Sequence, residues 1–482
     1  MIKYIFNLTL LIFITNSCQA DFGILQHGMQ ISTETNSILV SKENYQLVQA
    51  PQKSIPQAQG DYLVAAAYGD KAEIAWAKKF TIVELGNIND KRITYQLLQD
   101  NNLLEIPHHI AYEWMPAFYY YTTAKNNDFA QWVYNNKERL TLNPNGPFNH
   151  CKSKQYDWCQ EYYYNFADEE LLSRHINELK NNLNVKGFNG LFFDWGSGSF
   201  IDEVSYQSIK AYFQTLNQNK TYLQTVSNFY QKLHQENIFV VTNQAFRHHE
   251  ALLPYVSYDM TESYITSLKD KQIRIQLEDK GWVDTIKTTN YYPIYQTSKD
   301  INDSLNYINL LESYKNKYAH NGFKNFIYLN YLAPEYEKIY TNTPLYRLKK
   351  PKNGIYFSYA MAKLTNSFVY AEVPQDKTLE RDDVYLYQLG TSLGSSYEKI
   401  NGMNAYIRFY EKGFVVASDA YKSNIYLKIK SPFIRKNSYV WNLYDKNWLK
   451  SDNSNSLVIE LKFQKDTFED INLPLGRVYL YL

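Results

Sequence analysis

The chain has 482 residues, 45% of them hydrophobic and 21% charged, with a formal net charge of +1. That balance excludes a disordered chain and a strongly basic nucleic-acid surface, and it fits a partner with few charges. The length exceeds one ordinary core and suits a barrel of about 250 to 300 residues followed by a second unit of about 100.

The aromatic content of 16%, with 46 Tyr, 25 Phe and 8 Trp, suits carbohydrate, because the C–H edges of sugar rings stack on aromatic faces. An AT-rich coding sequence would also enrich Tyr, Asn, Lys and Ile, so only aromatics at strand ends point to function.

Met1 to Ala20 combines Lys3, an apolar run from Leu8 to Ile14 and small residues before Ala20, the layout of a secretory signal peptide. A lipid-modified Cys18 is the alternative to cleavage after Ala20. The expected location is therefore periplasmic or extracellular. Residues 21–60 are rich in Ser, Gln, Asn and Pro and read as an irregular leader.

From residue 61 to about 375, short β-branched and aromatic runs alternate with helical spacing, as repeated βα units do. The expected strands are Tyr62 to Ala67, Phe80 to Leu85, Ile110 to Trp114, Gly190 to Trp195, Ile238 to Asn243, Val256 to Glu262, Tyr291 to Gln296 and Phe326 to Tyr331. Helices are expected over Ala72 to Lys79, Ile93 to Leu104, Phe129 to Leu140, Asp168 to Leu183, Ser205 to Glu236 and Ile355 to Leu364. Eight parallel strands with helical crossovers define an α/β protein of the (β/α)₈ TIM-barrel type. An open doubly wound sheet is the alternative, although no glycine-rich phosphate fingerprint follows an early strand.

Between the third and fourth strands lie Cys151 and Cys159, the two cysteines that remain if Cys18 is removed; in an exported chain they are expected to form a disulfide. A zinc site would need more ligands than His150 and these thiols. From about 380 to 482 the pattern becomes closely spaced strands, including Val384 to Tyr387, Tyr406 to Phe409, Gly413 to Ala417, Asn424 to Leu427, Leu457 to Glu460 and Val478 to Tyr481. These predict a small antiparallel β-sandwich.

Functional side chains of a barrel project from the carboxyl ends of its strands. Those windows hold Tyr68 and Asp70, Glu84 and Asn87, Glu113 and Trp114, Asp194 and Trp195, Asn243 and Gln244, Asp259 and Glu262, Tyr295 and Gln296, and Asn330 and Tyr331. Carboxylates, amides and aromatics without His or Cys disfavour a metallohydrolase, a Cys/His nucleophile or phosphoryl transfer, and no cofactor is implied. Two carboxylates across a cleft are the minimal machinery of a glycosidase.

Asp194 leads, because it ends an unbroken apolar strand and precedes Trp195-Gly196-Ser197-Gly198, read as a flexible loop. Glu262 is the second choice. Strand alternation puts it with Tyr258 and Met260, and Asp259 on the other face with Thr261. Glu84, Glu113, Trp114, Trp195, Asn243, Asp259, Tyr295, Asn330 and Tyr331 are candidates for binding substrate. Asp202 and Glu203 read as a helix start, and His248 and His249 as a solvated pair.

The stretch Val185-Lys186-Gly187-Phe188-Asn189-Gly190-Leu191-Phe192-Phe193-Asp194, followed by Glu262-Ser263, resembles the barrel enzymes of glycoside hydrolase family 114. That resemblance implies a retaining, endo-acting α-galactosaminidase cutting galactosamine-rich exopolysaccharide, with Asp194 as nucleophile and Glu262 as acid/base. Leu389 to Gly394 and Arg408 to Ser418 are similar to the C-terminal appendage of some uncharacterised barrel glycosidases, with Ser392 and Ser418 where Pro and Asn are usual. The expected protein is a monomer without a membrane span. A glycan-binding or envelope-structural protein on the same barrel, without a competent acid pair, is the rival.

Overall fold

The computed structural model describes residues 35–119, 127–149, 160–244, 249–262, 269–277, 281–290, 298–329, 352–371, 383–419, 421–463 and 474–482. Eight strands close into a barrel: β1 (Gly60–Val64), β2 (Phe80–Asn87), β3 (His108–Trp114), β4 (Gly190–Asp194), β5 (Phe239–Asn243), β6 (Tyr258–Glu262), β7 (Asn325–Leu329) and β8 (Phe368–Ala371). Each is parallel to the next, and β8 pairs with β1 through Tyr370↔Tyr62 and Ala371↔Leu63.

The first six strands fall where the sequence puts them. The last two do not. The run expected as the eighth strand is the seventh, and closure comes from Phe368–Ala371, four residues beyond the helix expected to end the barrel. The expected seventh strand, Tyr291 to Gln296, lies outside the described residues. A hairpin of Lys269–Leu277 and Gly281–Asn290 and a helix, Ser298–Tyr318, stand between β6 and β7 instead.

The crossovers start on side-chain caps. Asp70 accepts from the Glu73 N–H at the head of Lys71–Ala77, and Asp168 from the Leu171 N–H at the head of Glu169–Lys186. The stretch expected as one helix from Ser205 to Glu236 is two, Gln207–Leu216 and Tyr222–Gln235, because Thr221 and Gln224 form a reciprocal capping box that begins a second helix. Beyond β3 a separate short strand, Ala117–Tyr119, pairs antiparallel with Gln160–Tyr163 outside the barrel.

Alternation divides each barrel strand between two cores. Tyr62, Ile82, Ile110, Phe192, Val241, Met260 and Ile327 fill the interior. Leu63, Val83, Ala111, Leu191, Val240 and Tyr328 face the surrounding helices. Much of the tyrosine content is therefore core material: Tyr62, Tyr163, Tyr230, Tyr328, Tyr356, Tyr410 and Tyr479 are fully buried.

The C-terminal part is a two-sheet antiparallel unit. Six strands, in the order Ser392–Lys399, Ala405–Tyr410, Gly413–Ser418, Leu475–Tyr481, Tyr439–Asn442 and Asn447–Lys450, face three, Asn36–Leu39, Ile425–Lys430 and Ser456–Leu461. Between them Ile407, Phe414, Val416, Leu427, Ile429 and Ile459 form a second core. Two expectations change here. Val384 to Tyr387 is not a strand, since Asp383–Leu386 forms a 3₁₀ turn. The leader supplies an edge strand, Asn36–Leu39, to the far end of the chain.

The central strands of the six-stranded sheet, Ala405–Tyr410, Gly413–Ser418 and Leu475–Tyr481, are buried on both faces, because the second face packs on the helix Lys352–Leu364, joining Val415, Val478 and Leu480 to Tyr356, Phe357 and Ala360. Gly476 allows this approach: a Cβ there would lie 2.1 Å from the Tyr356 carbonyl oxygen and 2.3 Å from the Phe357 Cα. Both are backbone atoms, which cannot swing aside. Gly476→Ala is expected to destabilise the fold by about 1 to 3 kcal/mol or more, read as a lower urea midpoint at unchanged slope.

Candidate active site

Interior positions toward the carboxyl ends of β2 to β5 are polar where the rest of the barrel interior is apolar. Each lies two residues beyond an interior apolar one: Glu84 after Ile82, Tyr112 after Ile110, Asp194 after Phe192 and Asn243 after Val241. Period two therefore aims four neighbouring strands at one spot. Asp194 is at its centre.

The Asp194 carboxylate is half-buried and accepts three hydrogen bonds. Its Oδ2 receives the Tyr112 hydroxyl at 3.0 Å; its Oδ1 receives the Trp195 N–H at 2.9 Å and the Asn243 Nδ2 amide at 3.0 Å. Burial raises its pKa above the ordinary value, while these three donors oppose the rise. A carboxylate has about four lone-pair positions, and among the described residues one of those on Oδ2 has no donor.

Glu84 is buried, with 7% of its surface exposed, and its Oε2 accepts the Tyr62 hydroxyl at 2.9 Å. Desolvation lifts its pKa to about 8, the Tyr62 bond lowers it, and the charge of Asp194 adds to the rise. Tyr62 rests against Phe192 and Tyr370, with ring centroids 6.4 and 5.5 Å away.

Above Asp194, Trp114 and Trp195 are tilted aromatic neighbours with centroids 6.0 Å apart. Trp195 has φ of 52°, a left-handed conformation that costs a bulky residue on the order of 1–3 kcal/mol. Its surroundings hold it there. The Gly196 N–H bonds the Asn243 carbonyl at 2.7 Å, and the Tyr230 hydroxyl bonds the Gly196 carbonyl at 2.8 Å.

Gly196 to Ser199 is consequently a packed turn and not the flexible loop expected, with Ser197 2% exposed and a Cβ on Gly198 meeting Tyr222 at 2.8 Å. Beyond it Asp202 ends a 3₁₀ turn and pairs with Lys210 at 2.9 Å, while the helix begins only at Gln207.

Most of the strand-four motif builds the barrel. Gly187, with φ of 83°, ends the preceding helix. Asn189 bridges the floor, accepting from the His109 N–H at 3.0 Å and donating to the Pro107 carbonyl at 2.8 Å. A Cβ on Gly190 would strike Phe239 at 2.7 Å. Of the quoted residues Asp194 alone ends at the mouth.

Glu113 and Asp259 do not join it. Glu113 sits on the outer face of β3, accepts from Asn89 Nδ2 at 3.2 Å, and has its pKa raised to about 8 by burial and by Glu178 of a surrounding helix. Asp259 is fully buried on the outer face of β6, where the Thr242 hydroxyl donates to it at 2.6 Å. An odd number of residues from the inward positions turns both away from the cleft.

Tyr68 is an exposed partner of Arg92, Asp70 a helix cap, Asn87 an acceptor for the Asn89 N–H, and Gln244 an acceptor for the His249 N–H. Glu262 ends β6, opposite Leu329 of β7, at the position two beyond Met260 that alternation assigns to the interior face. Tyr295, Gln296, Asn330, Tyr331, His248, Cys18, Cys151 and Cys159 lie outside the described residues. Among the described residues no group of three or more His, Cys, Asp and Glu could hold a metal, and no helix is long and apolar enough to cross a membrane.

Tyr112 and Tyr62 lie one interior position short of the strand tips, outside the windows that hold the sequence candidates. Counting back by two from Trp114 and by two from Val64 would have found them.

No protein-family profile and no curated protein matches the sequence. Solved structures with a similar fold include a maltogenic alpha-amylase from Thermotoga neapolitana, at 9% identity and a TM-score of 0.46, over 88% of this chain and 99% of that one. An alpha-amylase from H. orenii has 12% identity and a TM-score of 0.44, over 88% and 100%. The glycoside hydrolase domain of PelA from Pseudomonas aeruginosa has 12% identity and a TM-score of 0.34, over 65% and 95%. Likenesses this distant say nothing of substrate or mechanism, and the barrel rests on its own strand pairing.

The three-donor cradle has a measurable consequence. Tyr112→Phe removes a hydrogen bond to the charged form, so the Asp194 pKa is expected to rise further in a carboxyl NMR titration referenced to Asp194→Asn.

Proposed function

We propose that the protein is a retaining glycoside hydrolase acting within a microbial exopolysaccharide, with Asp194 as nucleophile and Glu262 as acid/base. The observation that carries this reading is the Asp194 carboxylate. It stands at the mouth of the barrel, fixed by Tyr112, Asn243 and the Trp195 N–H, with a lone pair of Oδ2 uncommitted.

In this reading Oδ2 attacks the anomeric carbon while Glu262 protonates the departing oxygen; Glu262 then takes a proton from water as it hydrolyses the glycosyl ester. The donors matter in both halves. They hold the carboxylate in one rotamer for attack, and they stabilise the negative charge that returns when the ester is cleaved. Partial burial keeps the carboxylate poorly solvated and so more reactive. Trp114 and Trp195 offer faces for sugars on either side of the bond cut. The likeness to family 114 favours a galactosamine-containing polymer, and the Met1 to Ala20 segment favours action outside the cytoplasm.

Residues 21–482 incubated with defined amino-sugar and neutral exopolysaccharides are expected to release reducing ends from at least one. Asp194→Asn should abolish release, and Glu262→Gln should slow it by about 10²- to 10⁴-fold. The first product seen by NMR should keep the anomeric configuration of the substrate, as retention requires. Release by both variants at the wild-type rate would exclude the mechanism; no release by the wild type from any glycan would favour the binding protein.

A further inference from the structure

Glu84 has no part in the two-carboxylate chemistry, yet it occupies the layer of Asp194. Its place is fixed by register. Glu84 is paired with Val64 of β1 and Ile110 of β3, two residues beyond Ile82 on the interior face, so its small exposed area can open only toward the barrel mouth. The groups that act on it are Tyr62 from β1, through its hydroxyl, and Asp194 from β4, through its charge; Tyr370 of β8 rests against Tyr62, and Tyr112 of β3 donates to Asp194. Among the described residues no cation lowers its pKa.

A carboxyl so placed beside a carboxylate is not built to carry a second charge. It is built to carry a proton. We propose that Glu84 is a further substrate-binding residue, offering its carboxyl O–H as a hydrogen-bond donor to a hydroxyl of the sugar held against Asp194, with Tyr62 fixing the orientation of that carboxyl.

The chemistry is consistent on each side. Oε2 already accepts from Tyr62, so the proton belongs on Oε1, which has no hydrogen-bond partner among the described residues. A neutral acid there donates to an uncharged hydroxyl and leaves Asp194 as the one negative charge of this layer. Loss of the proton would turn the donor into an acceptor and place a second negative charge beside the nucleophile. Desolvation, which lifts the Glu84 pKa to about 8, keeps the donor form at neutral pH. The inference rests on the proposed glycosidase reading for the identity of the ligand, but the protonation state can be read without any activity.

The folded chain holds a proton on Glu84 that the unfolded chain has released over the window from its ordinary value of 4.5 to about 8, so stability falls as pH rises through that window. Glu84→Gln cannot lose it. The melting temperature of Glu84→Gln relative to wild type should therefore climb between pH 5 and pH 8 and level off above. In an Asp194→Asn background the same climb should end at lower pH, because one neighbouring negative charge is gone.

With any polysaccharide that the wild type cleaves, Glu84→Ala should raise KM by about tenfold, the worth of one hydrogen bond, with a smaller change in kcat. Glu84→Gln, which keeps a donor, should raise it less and should weaken the alkaline rise in KM. A melting difference that is flat from pH 5 to pH 9, or a window that Asp194→Asn does not move, would overturn the proposal even if the protein proves to be a glycosidase. Failure of the wild type to cleave any glycan would sink the glycosidase reading and leave the melting result standing.

Discussion

An acidic side chain pulled into the mouth of a closed barrel loses water, and something must replace it. At Asp194 the replacement is a hydroxyl from β3, an amide from β5 and the next peptide N–H, all within 2.9 to 3.0 Å. The rest of the site follows from that need. The Asn243 side chain can reach Asp194 because β4 and β5 pair in parallel, and the Asn243 carbonyl in turn holds the Gly196 N–H. Trp195, between two residues so anchored, is left with the one backbone conformation that closes the turn. Its left-handed φ is thus a consequence of the cradle, offset by the bonds around it.

The same alternation that assembles the cradle excludes its competitors. Glu84, Glu113, Asp194 and Asp259 are all acids near strand ends; three are buried and Asp194 is half-buried. Two face inward and two outward, and the outward pair pay for burial differently: Asp259 bonds Thr242, whereas Glu113, with Asn89 as its polar neighbour, stays protonated to a pH of about 8. A list of acids at strand tips therefore overstates the site. Parity along each strand is the sharper criterion: Ile110 and Tyr112 on the interior face set the frame that turns Glu113 outward.

Local pattern made the barrel legible as far as β6. Runs such as Phe80 to Leu85 and Gly190 to Asp194 are apolar on both faces because helices cover one face and the interior fills the other. Beyond β6 the local signal no longer decides. Several aromatic runs compete for the last two places, and closure depends on which can meet β1. Phe368–Ala371 does so through only two residue pairs on either side, too little to mark a strand in sequence. The leader shows the same limit: Asn36–Leu39 becomes a strand because Ile425–Lys430 offers it an edge some 390 residues later, a long-range pairing that no local pattern encodes.

The glycine-containing stretch that leads into β4 divides by physical role. Gly187, Asn189 and Gly190 end a helix, tie two strands and let Phe239 approach, which any barrel needs at that corner. These residues would be retained in a protein that binds glycan and cuts nothing. What separates the two readings is the chemistry at the mouth. A binding site gains from donors and acceptors that are all committed to protein or ligand. A nucleophile needs one lone pair held ready and poorly solvated, the condition that the proposed role sets for Asp194 Oδ2, which has the Tyr112 hydroxyl as its one donor among the described residues.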